Sequence, residues 1–246
     1  MSIKTYELPS IADGGIELRS YVALPESASE DDPVAGILVA PEWWGVVEHP
    51  REVTERLAKA GFAAVAMDVY GEGKLTTDAA QANEWMEQML ADQDMLMARC
   101  QQILSDFSDQ MAVNGDKLGV IGFCFGGKIA LDMAREGMPV KAVATFHGNL
   151  SPKQPAEKGT FTAEVLVAHG ADDSMVTMDA VEDFKKEMDN ADVTYTVDVY
   201  DNAKHGFTNP NADKRAEEND VDLGYNEKAT KESWDKMVKF MEDKLK

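Results

Sequence analysis

Short apolar runs alternate with segments of helical periodicity along nearly the whole chain. Residues 34–40 are continuously apolar, which is typical of a strand buried on both faces of a sheet. Residues 165–169 form a second such run, and residues 194–200 alternate between apolar and polar positions. Because helix-periodic segments lie between these strands, we expect one α/β domain over residues 1–246. Its sheet should be mostly parallel, with helices on both faces.

The first 24 residues differ from this pattern. Residues 3–8 and 16–24 are strand-like and are separated by an Asp-Gly-Gly turn at residues 13–15, which predicts an antiparallel hairpin at one edge of the sheet. Further along, residues 78–107 form one long helical region. Residues 209–226 are polar and acidic, and we interpret them as a loop over the rim of the site or as a long connection in solvent.

Composition narrows the possible partners. The chain of 246 residues is 44% hydrophobic, enough for one large core, and its net charge is −21. A strongly acidic protein is disfavoured as a partner of nucleic acid or of an anionic membrane surface, because both require basic residues. The N-terminus is polar and no apolar run is long enough to span a bilayer, so we predict a cytoplasmic protein without a membrane partner.

The two cysteines lie in different contexts. Cys100 falls in the predicted helical region and is interpreted as a small buried residue, whereas Cys124 lies in a glycine-rich segment. A disulfide is therefore not expected, and Cys and His residues show no metal-ligand spacing. We predict neither a metal site nor a cofactor, and leave the oligomeric state open between monomer and dimer.

Cys124 is the centre of the most informative segment. Residues 122–127 read Gly-Phe-Cys-Phe-Gly-Gly, directly after the apolar residues 117–121 and before a helix-like stretch. This order matches a nucleophile elbow, in which a strained turn raises the central side chain above the sheet while small residues on either side let strand and helix approach. A cysteine at a helix N-terminus has its thiol pKa lowered from about 8.5. The position thus favours a reactive thiolate.

Two other interpretations of this segment compete. The turn could belong to any α/β protein, with Cys124 acting as a small buried hydrophobe. A phosphate-binding loop fits less well, because the G-x-x-x-x-G-K-[ST] pattern is missing. Residues downstream decide between them.

Asp173 and His205 follow the cysteine in the order nucleophile, acid, histidine that the elbow requires. Asp173 comes after the strand at residues 165–169, and His205 comes after the strand at residues 194–200. Each interval has room for a strand-helix-strand excursion. The acid would accept the ring N–H of His205 and stabilise its imidazolium form.

Some neighbouring residues are alternatives for these roles. Asp172 precedes Asp173, and the spacing from Gly170 to Val176 favours Asp173, because hydrolases of this fold show the pattern G-x-x-D-x-x-V. The remaining histidines are interpreted as structural because they lie at strand ends or a helix start: His49, His147 and His169.

The loop after the strand at residues 34–40 reads Pro-Glu-Trp-Trp-Gly. In a hydrolase with this elbow, that loop supplies one backbone N–H of the oxyanion hole, and the residue after the nucleophile supplies the other. Trp43 and Phe125 are therefore the predicted donors. Glu42 is unexpected there, because its carboxylate would oppose the negative charge that develops on the substrate.

At this point the chain resembles the dienelactone hydrolase family, cysteine-dependent members of the α/β-hydrolase fold. The matching segments extend from about residue 15 to the C-terminal helix: residues 42–45, 49–58, 68–70, 122–127, 169–173 and 205–207. The resemblance implies a Cys124-His205-Asp173 triad with Glu42 next to the thiol. In such enzymes the glutamate holds or takes the thiol proton until substrate displaces it; the alternative is a carboxylate paired with Arg51.

The resemblance also bears on the substrate. We predict that the substrate is contacted by Trp44, Tyr70, Lys74 and Phe207. Relatives that cleave dienelactone carry arginines soon after the D-x-Y segment and a few residues past the histidine, where this chain has Lys74 and Asn209. Lysine cannot supply the bidentate fork of arginine.

The predicted activity is hydrolysis of a small ester or lactone through a cysteinyl acyl-enzyme. The alternatives are a redox-sensitive protein that does not turn over substrate and a binding protein on the same fold.

Overall fold

The computed structural model describes residues 1–246 apart from the side chain of Asp13. Over the described residues the chain forms eight strands and seven α-helices. The strands are β1 (Ile3–Ala12), β2 (Ile16–Pro25), β3 (Val34–Ala40), β4 (Ala63–Ala66), β5 (Val113–Phe123), β6 (Ala142–Phe146), β7 (Glu164–Gly170) and β8 (Tyr195–Tyr200). The helices are α1 (Glu48–Lys59), α2 (Ala79–Ala91), α3 (Gln93–Ser108), α4 (Phe125–Arg135), α5 (Met178–Asn190), α6 (Ala212–Asn219) and α7 (Glu227–Leu245).

The strands make one sheet in the order β1-β2-β4-β3-β5-β6-β7-β8. Strand β1 pairs antiparallel with β2 over its whole length, from Ile3 opposite Pro25 to Ala12 opposite Ile16. Strand pairs β3-β4, β6-β7 and β7-β8 are parallel. The predicted mostly parallel sheet with an antiparallel edge hairpin is confirmed. In the turn, Gly14 has a φ of 80°, a conformation that glycine adopts without steric cost.

The chain divides within β5 into two compact units. The first comprises residues 1–120 and 245–246, and the second comprises residues 121–244. In the first unit, β3 and β4 are almost wholly buried, as expected for apolar central strands. In the second unit, every residue of α4 is buried. The prediction of a single domain stays a prediction.

Two segments differ from the sequence-based expectation. The helical region over residues 78–107 is two helices, because Asp92 leaves helical geometry and its side chain accepts the backbone N–H of Met95 at 3.1 Å as the N-cap of α3. Such caps replace the missing carbonyl partner at a helix start. Residues 209–226, interpreted as a loop or connection, contain α6.

The second unit brings four strand ends together. Backbone N–H of Cys124, just after β5, donates to the carbonyl of Phe146 at the end of β6 (3.1 Å), and that of His147 donates to Ala168 in β7 (2.9 Å). Strand β8 continues the parallel arrangement beside β7. The loops that follow these strands carry the candidate site, because the carboxyl ends of parallel strands lie at one edge of a sheet.

Candidate active site

Cys124 occupies a strained turn between β5 and α4. Its φ of 55° and ψ of −116° lie outside the regions that L-residues usually adopt. The turn is tight, because a Cβ atom built on Gly122 would collide with the carbonyl oxygen of Gly126. Glycine at position 122 therefore lets strand and helix approach while Cys124 projects from the turn, partly exposed.

The thiol-bearing residue is also the N-cap of α4. The positive end of a helix dipole stabilises an anion at this point. Cys124 is held there by two backbone hydrogen bonds, one from its N–H to Phe146 and one from the N–H of Gly127 to its carbonyl at 3.0 Å. The structure thus fixes the backbone of Cys124 at the N-terminus of α4.

Asp173 and His205 are in direct contact. Nδ1 of His205 lies 2.9 Å from Oδ2 of Asp173, and both side chains are buried. The other carboxylate oxygen, Oδ1, accepts the backbone N–H groups of Met175 and Val176, each at 2.9 Å. Asp172 is exposed. The carboxylate of Asp173 is therefore fully hydrogen-bonded and aimed at the imidazole.

The electrostatics of His205 link it to both neighbours. Burial disfavours the imidazolium form, but attraction to Cys124 and Asp173 and hydrogen bonds to both outweigh it and raise the pKa of His205 from 6.5 to about 10. Nε2 has no partner with strict hydrogen-bond geometry among the described residues, so its interaction with the thiol is a loose one. Catalytic hydrogen bonds are often long in enzymes without substrate.

His147 lies against His205, a contact that sequence reasoning missed. The two ring centroids are 5.1 Å apart at an angle of 65°, and Nε2 of His147 is 2.8 Å from Oγ1 of Thr208. The sequence favours a structural role for His147 at a strand end. In the sequence, His147 is marked only by its place at a strand end before Gly148. His169 has the same pattern before Gly170, so the pattern does not distinguish the two histidines.

His169 is buried at the end of β7. Burial lowers its pKa, although attraction to Asp173 opposes this effect. Because a lowered pKa disfavours the imidazolium form of His169, the negative charge of the Asp173 carboxylate is available to stabilise the imidazolium of His205. We therefore assign His169 no proton transfer.

Glu42 lies in the first unit, after β3. It is buried, and its Oε2 atom is 3.6 Å from Nδ1 of His49, which is also buried. Arg51 instead donates Nε to the carbonyl of Val46 at 3.1 Å and lies over the ring of Tyr21. Arg51 thus contacts Val46 and Tyr21, and the contact recorded for the Glu42 carboxylate is with His49.

Trp43 is held through its own carbonyl. The hydroxyl of Tyr70 donates to that oxygen at 2.9 Å, and buried Arg99 binds the carbonyls of Val69 and Tyr70 at 2.9 and 2.8 Å. Trp44 packs edge-on against Trp43 and is only 1% exposed. The loop with the predicted oxyanion donor is thus rigidly supported, and Trp44 lies in the interior.

The predicted substrate-binding residues have different surroundings. Lys74 is exposed and pairs with Glu72 at 3.1 Å, whereas Phe207 is fully buried. Asn209 is buried, and its Oδ1 accepts the backbone N–H of Asn211 at 2.9 Å. Arg215 is buried on α6. The predicted contacts with substrate were those of Trp44, Tyr70, Lys74 and Phe207, and they stay predictions.

Neither Cys100 nor Cys124 forms a disulfide within the described part of the chain, and Cys100 is buried as expected. Within the described part of the chain, no group of three or more His, Cys, Asp or Glu side chains could hold a metal ion. None of the described helices has both the length and the apolar character needed to cross a membrane.

The fold and the elbow define the class as an α/β hydrolase. A family model described as "Dienelactone hydrolase family" matches residues 18–245. The chain therefore belongs to the dienelactone hydrolase family, and it is a hydrolase.

Three similar proteins cover almost the whole chain. A Salmonella typhimurium protein named "Putative carboxymethylenebutenolidase" is 28% identical over 243 residues, covering 95% of this chain and 85% of that protein. A Synechocystis protein of the same name is 28% identical over 263 residues, covering 100% and 99%. The crystal structure of a dienelactone hydrolase-like promiscuous phosphotriesterase from metagenomic libraries has a TM-score of 0.92 and 32% identity, with 100% of both chains covered.

Proposed function

We propose that this hydrolase cleaves small carboxylic esters or lactones with Cys124 as nucleophile, His205 as general base and acid, and Asp173 as the acid of the triad. The single observation that carries the proposal is the buried Asp173–His205 pair, 2.9 Å apart, interacting with a cysteine in a strained elbow. Nothing in packing alone requires these three groups together.

The first half-reaction forms a thioester. The thiolate of Cys124 attacks the carbonyl carbon, and a carbon–sulfur bond forms as the carbonyl oxygen becomes an oxyanion. The backbone N–H groups of Phe125 and Trp43 are the proposed donors to that oxyanion. As it collapses, the carbon–oxygen bond of the ester breaks, and imidazolium His205 gives its proton to the leaving alkoxide.

The second half-reaction restores the enzyme. Neutral His205 takes a proton from a water molecule, whose oxygen attacks the thioester carbonyl. The carbon–sulfur bond breaks, the carboxylic acid leaves, and the sulfur departs as a thiolate beside imidazolium His205. Asp173 stabilises the imidazolium in both steps. By binding Nδ1 of His205, it orients the ring so that Nε2 faces the reacting groups.

Glu42 is proposed to be a carboxylate that accepts a hydrogen bond from the protonated thiol of Cys124 in the resting enzyme, with His49 as its buried neighbour. What supports this role is the place of Glu42 in the loop after β3 and a carboxylate that is buried and lies 3.6 Å from an imidazole. A buried carboxylate is costly unless a partner compensates its charge.

The substrate is proposed to be neutral. Lys74 is already paired with Glu72 at the surface, and Asn209 is engaged in its own turn. Neither residue offers the bidentate arginine that recognises a carboxylate. The cytoplasmic location, expected from the polar N-terminus and from apolar runs too short to span a bilayer, stays a prediction.

Pre-steady-state kinetics test this function. Mixed with an activated aryl ester, the wild-type enzyme should release a burst of aryl alcohol equal to the enzyme concentration and then turn over steadily. Cys124→Ala should show neither phase while keeping its folded circular dichroism spectrum. Release of alcohol without turnover would instead indicate a reactive thiol that is not catalytic, and full activity of Cys124→Ala would exclude the mechanism.

A further inference from the structure

We propose that His147 and Thr208 form a positioning pair that fixes the ring of His205 for catalysis; this inference rests on the proposed function. The pair joins two loops of the second unit. Thr208 lies three residues after His205, and its hydroxyl is 2.8 Å from Nε2 of His147. Both side chains are buried, so the hydrogen bond is protected from competition with water.

The ring of His147 restricts how His205 can turn. Asp173 fixes only the Nδ1 end of His205, which leaves the imidazole free to tilt about that contact. The edge-to-face contact with His147, with ring centroids 5.1 Å apart, restricts this tilt. Phe207 packs edge-on against His147, with ring centroids 5.3 Å apart. Nε2 of His205 is therefore kept on the side of Cys124.

The backbone at His147 supports a functional interpretation. His147 has a φ of 40°, in the left-handed region that is sparsely populated by residues other than glycine. Such a conformation is energetically unfavourable and persists only where the surroundings enforce it. Strained residues of this kind cluster at functional sites. Cys124 also has a positive φ, and the other such non-glycine residues described in this unit are Asp and Asn, which adopt it more readily: Asp192, Asn202 and Asp220.

The end of β6 also contacts the elbow. A Cβ atom added to Gly148 would collide with Oγ1 of Thr145 and would lie only 2.8 Å from the Cα atom of Gly127, three residues after Cys124. The segment that carries His147 is thus packed on the turn that carries the nucleophile. The hydrogen bond to Thr208 connects the same segment to the loop that carries His205. His147 therefore sets the distance between the loop of Cys124 and the loop of His205.

The test uses Thr208, because substitution there leaves the strained backbone of His147 unchanged. Thr208→Val removes the hydroxyl at nearly constant volume, and Thr208→Ser keeps it. With a neutral aryl ester, Thr208→Val should lower kcat about fivefold to tenfold with little change in KM, as expected for the loss of one buried hydrogen bond. Thr208→Ser should recover kcat to within about twofold of wild type. His147→Phe, measured together with its thermal unfolding, should lower kcat in the same way.

Tyr200→Phe is the matched control. Its ring contacts Phe207 at 5.7 Å, and its buried hydroxyl has no hydrogen-bond partner among the described residues, so its kcat should equal that of wild type. The positioning pair would be overturned by a wild-type kcat in Thr208→Val, or by equal losses of kcat in Thr208→Val and Thr208→Ser. In either case, loss of activity in His205→Ala would still uphold the proposed function. Full activity of His205→Ala would overturn both.

Discussion

Replacing Asp173 by asparagine separates charge from shape at the proposed acid. The amide is almost isosteric with the carboxylate, and its oxygen can still accept the N–H groups of Met175 and Val176, which now bind Oδ1 at 2.9 Å. The amide NH₂ then faces Nδ1 of His205, the atom that contacts Oδ2 in the native protein. Because NH₂ is a donor, it favours the tautomer in which Nδ1 accepts and Nε2 carries the hydrogen.

Two losses follow from this tautomer. A charge-assisted hydrogen bond of about 1.5–3 kcal/mol no longer stabilises the imidazolium, and Nε2 can no longer accept a proton from the thiol or from water. The first loss alone corresponds to about tenfold to a hundredfold in rate. With the second, we expect kcat/KM for an aryl ester to fall about a hundredfold to ten-thousandfold. The folded structure should persist, because the amide fills the same volume.

Asp172→Asn is the matched control, since it makes the same chemical change one residue away. The Asp172 side chain is exposed, and its backbone N–H bond to the Ala203 carbonyl at 3.0 Å is unaffected by the substitution. Its kcat/KM should remain within about twofold of wild type, as for most exposed charges. Steady-state kinetics on both variants, with circular dichroism as a folding check, would refute the assignment if Asp172→Asn were the more damaging change.

Three further predictions follow from the site. Glu42→Gln should be alkylated by iodoacetamide several-fold faster at neutral pH, because a neighbouring negative charge disfavours the thiolate; an unchanged rate and pH profile would make Glu42 structural. The pKa of His205 is raised in the folded state from 6.5 to about 10, so its contribution to stability is complete below about pH 6.5 and is lost as the pH rises through about 10. Urea unfolding should show the advantage of wild type over His205→Gln shrinking over that range, and a constant advantage would contradict this. Without an arginine for a carboxylate, kcat/KM should be about tenfold or more higher for a short aryl ester than for dienelactone; a preference for dienelactone would show that Lys74 or Arg215 supplies the charge.

Local patterns predicted much of this fold because they reflect local physics. The continuous apolar run at residues 34–40 coincides with β3, since a strand buried on both faces needs apolar side chains on both. The glycines around Cys124 similarly require a close approach of strand and helix. The position of Asp173 followed from a spacing within one loop, and the structure brings this carboxylate to His205.

Features that depend on particular side-chain contacts or on unusual backbone angles were missed. The break at Asp92 depends on its side chain, which caps the N-terminus of α3. This cap competes weakly with continuation of the preceding helix. The contact of His147 with His205 joins residues 58 positions apart and depends on a positive φ that no local pattern indicates. The pairing of Glu42 with His49 was likewise not anticipated.

The most direct test of the central claim is detection of the acyl-enzyme on Cys124. The enzyme would be mixed with an activated aryl acetate, quenched in acid within one turnover and digested, and the peptides weighed by mass spectrometry. The account predicts one acetyl group on the peptide containing Cys124, in an amount matching the burst, and none on the peptide containing the buried Cys100. The adduct should accumulate in Asp173→Asn only if deacylation is slowed more than acylation. An enzyme that turns over the ester with no acetyl group on Cys124 would contradict the account.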